Sequence, residues 1–139
     1  MRYFLCALDS VYLGIPSECT GRIISVFRSQ SSVCETEDQD VFISLPLLFG
    51  RANFSSPHGI VLKQTIEERK TVLLAPPIDI DIEIPDEEIF SVPGVFEKLL
   101  RYCNGACFIN VEQEERLIFT LDMEKITKDY MCPAGCKSR

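Results

Sequence analysis

Seven cysteines, one histidine and a run of alternating acids are the residues in this 139-residue chain whose types and spacing bear on chemistry. The cysteines are Cys6, Cys19, Cys34, Cys103, Cys107, Cys132 and Cys136. Cys103-Asn-Gly-Ala-Cys107 and Cys132-Pro-Ala-Gly-Cys136 are both C-x₃-C pairs, and four thiolates make a tetrahedral zinc site. Both loops contain Gly, which helps backbone turn toward an ion. Against zinc, the spacing by itself is a weak signal. Cys107 also opens an apolar, strand-like run to Val111, and a buried free cysteine packs as a small hydrophobe. The expectation is therefore no metal and no cofactor, with a zinc-stapled domain using Cys103, Cys107, Cys132 and Cys136 as the alternative. An odd count leaves one thiol over from any full disulfide framework.

His58 lies beside Pro57 in a stretch that reads as a loop, where a solvated side chain is the expectation. No nucleophile elbow, Walker A loop or dinucleotide glycine fingerprint occurs. Asp79, Asp81 and Glu83 fall on one face of a strand, about 7 Å apart in succession. Such a ladder can hold a hard cation, or hydrolyse a glycoside with a partner acid across a cleft. No Gly-rich calcium loop or aromatic sugar platform accompanies it, and the chain has no Trp. The ladder reads instead as a water-facing row that discourages aggregation. No catalytic residue is expected; the profile is that of a binding or scaffolding module.

The elements that position these residues read as strand-rich. Arg2 to Leu8 and Val11 to Ile15 form a hairpin around Asp9-Ser10, and Pro16 stops its pairing. Ser17 is expected to cap a short helix through Cys19, and Arg22 to Phe27 is apolar again. Arg28 to Asp40 is polar and reads as an exposed loop. Val41 to Leu45 is a strand ended by Pro46, and Leu47 to Gly50 is a short apolar finish. Ile60 to Lys63 pairs with Thr71 to Ala75 around the charged turn Glu67 to Lys70. Ile78, Ile80, Ile82 and Ile84 alternate strictly with Asp79, Asp81 and Glu83, so a one-residue slip would bury three carboxylates. Val92 to Cys103 has helical spacing, with Asn104-Gly105 as its C-cap. Strands Ala106 to Val111 and Arg116 to Leu121 follow, and Asp122 caps a helix from Met123 to Tyr130. No internal repeat is visible. Many short strands with turn signals point to an all-β barrel or sandwich.

Composition bounds the function. Hydrophobic residues make up 46% of the chain and charged residues 25%, which is globular rather than disordered. The 14 basic and 21 acidic residues give a net charge of −7. That balance repels phosphate and favours a basic protein surface over nucleic acid. No apolar run reaches the roughly 20 residues that cross a bilayer. The first residues are too sparsely apolar for a signal peptide, so a cytoplasmic protein with reduced thiols is expected.

The order of these motifs resembles the CheW-like domain, the adaptor fold of bacterial chemotaxis arrays. Tyr3-Phe-Leu-Cys-Ala-Leu8, a polar turn and Tyr12-Leu-Gly-Ile-Pro16 resemble the family's first hairpin. Arg22-Ile-Ile-Ser-Val26 stands where the family has Val-x-Glu-Ile-Ile. Phe42-Ile-Ser-Leu-Pro-Leu-Leu-Phe-Gly50 resembles its Pro-Val-x-Asp-Leu segment. Thr71 to Pro85, then Asp86 to Ile89 and Val92-Pro93, resemble its middle stretch. Gly105, two strands and Leu121-Asp-Met-Glu-Lys-Ile126 resemble its close. The match spans about residues 3–127.

This resemblance implies two small five-stranded β-barrel lobes intertwined in a single domain over residues 1–139, with both chain ends in one lobe and a flexible tail over 128–139. It implies no enzymatic activity. It implies protein partners: a CheA-type kinase regulatory domain, chemoreceptor signalling tips, or a homologous CheW-like domain. The chain departs from the pattern in three places. The Asn-Leu-Arg-Gly segment is missing, Arg22 replaces a Glu, and Ser44 replaces an Asp. Arg22, Val41, Ile43 and Leu45 are the candidate contact residues on this reading.

Overall fold

The computed structural model describes residues 1–25, 34–37, 40–51, 58–66, 68–92 and 100–131. Ten strands lie among them: β1 Arg2–Leu8, β2 Val11–Pro16, β3 Thr20–Ser25, β4 Cys34–Glu37, β5 Asp40–Ser44, β6 His58–Leu62, β7 Lys70–Ala75, β8 Ile78–Glu83, β9 Cys103–Val111 and β10 Glu114–Leu121. Two α-helices, α1 Leu45–Leu48 and α2 Met123–Met131, and two 3₁₀ turns complete the described elements. The strands form two five-stranded sheets, ordered β8-β1-β2-β10-β9 and β3-β6-β7-β5-β4. The fold is mainly β, as the alternating pattern predicts.

The two sheets repeat one design. Each is antiparallel except for a single parallel pair, β2 with β10 in the first and β7 with β5 in the second. In each, the strand entering that parallel pair runs into a capped helix. Ser44 ends β5, and its Oγ accepts from the Leu47 amide at 3.4 Å. Asp122 follows β10, and its Oδ1 accepts from the Lys125 amide at 3.0 Å. These acceptors satisfy donors that every helix start leaves orphaned. Pro46 sits in the first turn of α1, where its missing N–H costs nothing, and Gly50 at φ 75° follows that helix's end.

Alternation along the first sheet gives it two oily faces. Tyr3, Leu5, Ile84, Cys107 and Ile118 fill one cluster, with Ile80, Ile82 and Ile89 packed against it. Cys6, Leu8, Leu13, Ile15 and Leu121 point the other way. They share a second cluster with Val41, Ile43, Ile60 and Leu73 of the second sheet and with Met123 and Ile126 of α2. One contiguous core thus joins both sheets, and the closing helix is packed into it.

The first sheet curls until its edges meet. After β8 the chain makes a 3₁₀ turn at Asp86–Glu88 and reaches β9 at Phe90. There the Phe90 amide donates to the Ala106 carbonyl at 2.8 Å, and the Ala106 amide donates back at 2.9 Å. Gly105 makes room for this crossing. A Cβ there would overlap the Ile89 side chain and sit 3.0 Å from Thr120 Oγ1 and 3.3 Å from the Phe90 carbonyl.

Several expectations need correction. The polar segment 28–40 contains β4, paired with β5 from Cys34↔Ile43 to Glu37↔Asp40. An edge strand needs one backbone partner and no apolar side, so polarity hid it. His58 opens β6 instead of lying in a loop, and its Nδ1 accepts from the Ile78 amide at 3.4 Å. Ser17 caps nothing; it is the first residue of the 3₁₀ turn, and its carbonyl accepts from Thr20 Oγ1 at 2.9 Å. Leu45 begins α1 and does not end β5. Of the helix expected over 92–103, residues 93–99 lie outside the described residues. Cys103, Asn104 and Gly105 belong to β9 and cap no helix. Helix α2 runs through Met131, so 128–131 are helical, and 132–139 lie outside the described residues.

Replacing Gly105 with Ala is expected to destabilise the protein by about 1–3 kcal/mol, the usual cost of overpacking a filled site. Urea denaturation followed by circular dichroism measures it. An unchanged midpoint would mean that the Ile89–Phe90 crossing yields freely.

Candidate functional site

The acidic ladder sits on β8, an outer strand of the first sheet. Asp81 is half-exposed and paired with Arg2 Nη1 of β1 at 2.9 Å. Glu83 lies 2.9 Å from the Met1 amino group, which also donates to the Ile84 carbonyl at 3.0 Å. Hydrogen bonding from that ammonium holds the Glu83 carboxyl below its ordinary range, and the same contact raises the amine. These carboxylates are spent on pairing β8 to β1. Asp81 and Glu83 both face water, and the side chain of Asp79 lies outside the described residues.

The cysteines divide between the two cores. Cys6, Cys103 and Cys107 are buried, and Cys19 is half-buried. Cys103 and Cys107 lie on the one extended strand β9, yet Cys103 packs into the core shared by the sheets and Cys107 into the interior of the first. Four residues of strand span roughly 13 Å, whereas two thiolates on one tetrahedral zinc lie within about 4 Å of each other. The pair therefore cannot form half of the zinc site considered from the sequence; a register irregularity between them, where Thr120 opposes Gly105 and Leu121 opposes Cys103, accompanies their packing into different cores. Cys132 and Cys136 lie outside the described residues. No group of three or more His, Cys, Asp or Glu side chains is placed to hold a metal among the described residues. Burial pushes the Cys103 thiol up to about 12, so it stays protonated at neutral pH. Burial also raises Cys107 and Cys19.

The candidate contact residues separate in the same way. Val41, Ile43 and Leu45 are at most 3% exposed and belong to the shared core. Their burial is that of core packing: Val41 and Ile43 face inward as alternate residues of β5, and Leu45 does so as the first residue of α1. Arg22 is exposed on β3, an outer strand of the second sheet. It sits in a bulge, because Thr20 opposes Leu62 and Ile23 opposes Ile60, leaving Gly21 and Arg22 against Val61 alone. A bulge re-aims side chains at a sheet edge. Gly21 permits this one: a Cβ there would lie 3.1 Å from the Val61 carbonyl. Next to Arg22, Ile23 is 42% exposed, and among the described residues no carboxylate pairs with Arg22. An unpaired cation beside an exposed aliphatic, in a chain of net charge −7, suits contact with an acidic protein surface.

Sequence reasoning missed two exposed aromatics, Phe90 and Phe108. The signal was present in the alternation: Ile89 and Cys107 face inward, so their neighbours face out. A third feature is structural. Asp129 Oδ2 accepts from Arg101 Nη2 and the Tyr102 hydroxyl, both at 2.9 Å, and ties α2 to the turn before β9. Partial burial, reinforced by the bond to Asp129, raises the Tyr102 phenol.

No helix among the described residues is long and apolar enough to cross a membrane. Two five-stranded sheets that share a core, the first of them curled, match a CheW-like fold at the level of architecture. Among solved structures, the chain is similar to the scaffolding protein TtCheW from Thermoanaerobacter tengcongensis, with a TM-score of 0.68 and 14% identity over 99% of this chain and 90% of that one. At that identity the likeness is one of fold. No family model matches the chain, and no curated protein matches it in sequence.

Two measurements follow for Cys103. Iodoacetamide at neutral pH is expected to spare it in the native protein and label it on unfolding, as read by peptide mass mapping. Ready native labelling would contradict its burial. A thiol raised from 9.0 to about 12 on folding contributes stability that is complete below pH 9 and lost as pH climbs toward 12. The loss per pH unit is about 1.4 kcal/mol in that window, and Cys103→Ala is expected to flatten that part of the slope in urea titrations.

Proposed function

We propose that this chain is a non-enzymatic, cytoplasmic CheW-like adaptor, a single domain of two β-lobes that binds other signalling proteins. Its partners are a CheA-type kinase regulatory domain and chemoreceptor signalling tips, or a homologous CheW-like domain in their place. The observation that carries this reading is the likeness of fold to a scaffolding protein over 99% of the chain. The disposition of charge supports it. Asp81 and Glu83 of β8 are held in ion pairs with Arg2 and the Met1 amine, while among the described residues Arg22, on an edge strand, has no carboxylate partner. Arg22 replaces a Glu of the family pattern, so its partner surface is expected to carry the opposite sign from the family's usual one.

Interferometry with the immobilised chain tests the reading, using a CheA-type regulatory domain and a chemoreceptor signalling tip as probes. Saturable binding to at least one is expected. Absence of binding to both at high micromolar concentration would leave the fold without the adaptor role. Arg22→Glu is expected to change stability by less than about 0.5 kcal/mol, because the side chain is exposed. It is expected to tighten binding to a standard receptor tip about tenfold by restoring the family's charge. An unchanged affinity would remove Arg22 from the contact surface.

A further inference from the structure

Phe90 is 67% exposed and Phe108 is 58% exposed, and the ladder brings them together. Phe90 is bridged to Ala106, and Phe108 lies two residues beyond Ala106 on β9. Antiparallel partners share a face, as do residues two apart on a strand, so both rings project from the outside of the first sheet. Diagonal neighbours of this kind lie roughly 7–8 Å apart, within reach of aromatic side chains. Half-buried Leu117, the partner of Phe108, and Phe119, the partner of Ala106, widen the apolar floor.

The patch is rigidly presented. Both backbone polar groups of Phe90 are bonded to Ala106, at 2.8 and 2.9 Å, and the preceding Ile89 is packed into the interior. Backbone held this way loses little further freedom on binding. Aromatics at the centre of a polar rim are the usual anatomy of a protein contact. Here the rim is acidic. Asp86, Glu87 and Glu88 are exposed just before Phe90, and Glu115 is exposed on β10. Segments 84–92 and 103–119 together hold six acids and one base, Arg116, which is itself paired with Glu114.

We infer that Phe90 and Phe108 anchor a docking site for a basic protein surface, one that offers apolar side chains flanked by Lys or Arg. This rests on the reading of the chain as a binding module and assigns it a second contact face, on the opposite sheet from Arg22 and of the opposite charge.

The test is amide NMR of the full chain titrated with a synthetic amphipathic peptide that has an apolar face and Lys flanks. The expected result is shifts at Phe90, Ala106 and Phe108, with binding weakened about tenfold or more in F90S/F108S. The variant E87Q/E88Q leaves the aromatics in place and is expected to reduce both affinity and its salt dependence. A peptide with the same apolar face and Glu flanks is expected to bind much more weakly. Shifts confined to the β8 acids, or equal binding by wild type and both variants, would overturn the proposal. So would sedimentation showing a dimer that F90S/F108S dissolves, which assigns the patch to a second copy of this chain. The peptide is neither kinase nor receptor, so failure here leaves the adaptor reading standing, and failure of that reading leaves this measurement informative.

Discussion

The strands β1 and β2 leave their sheet without a polar side. Odd residues Tyr3 and Leu5 line the interior of the first sheet, and even residues Cys6 and Leu8 face the second. A sheet with two apolar faces has to be covered twice. It covers one face by curling on itself and the other by packing against its neighbour. Each fully buried aliphatic contributes about 1.5–3 kcal/mol, so neither covering is optional. The curl in turn demands closure at Phe90, and closure demands Gly105. The packing demands that Val41, Ile43 and Leu45 turn inward.

That constraint decides which surfaces remain for function. Among the described residues the apolar side chains between the sheets are packed in one core, and Asp81 and Glu83 of β8 are tied to Arg2 and the Met1 amine. What remains outside is a small set of side chains at strand edges: Arg22 and Ile23 at the bulge in β3, and Phe90 and Phe108 where the first sheet closes. The two groups differ in sign and in sheet.

Much of the architecture was legible in the residues. Strict alternation placed β8, whose slip would bury its carboxylates, and apolar runs on either side of Asp9-Ser10 and of Glu112 to Glu115 placed β1, β2, β9 and β10. Asp122 was readable as a cap because its neighbours carry a helical pattern. The candidate site was far less legible. Val41, Ile43 and Leu45 look the same in sequence whether they face a core or a partner. Only the second sheet, folded over them, decides. β4 was hidden because an edge strand is held by backbone bonds that composition does not record. The zinc alternative rested on spacing alone, and an extended β9 separates the sulfurs that a loop would have brought together. The repeated ladder order left no repeat in the sequence, since hydrogen-bond topology constrains side chains only through the pattern of inward and outward positions.

The pairing of β2 with β10 has a consequence for how the molecule is made. Tyr12 to Gly14 lie beside Ile118 to Thr120, more than a hundred residues later. During translation the β1–β2 hairpin emerges before anything that covers it, with two oily faces and an open edge. Its neighbour β10 follows only after the whole second sheet has been made. The second sheet lies wholly between these segments and can assemble first, so it can shelter one side of the waiting hairpin. Closure of the other side is a late, long-range event, and such events are slow and prone to association in transit. Nascent chains stalled before β10 should therefore be the ones that chaperones hold.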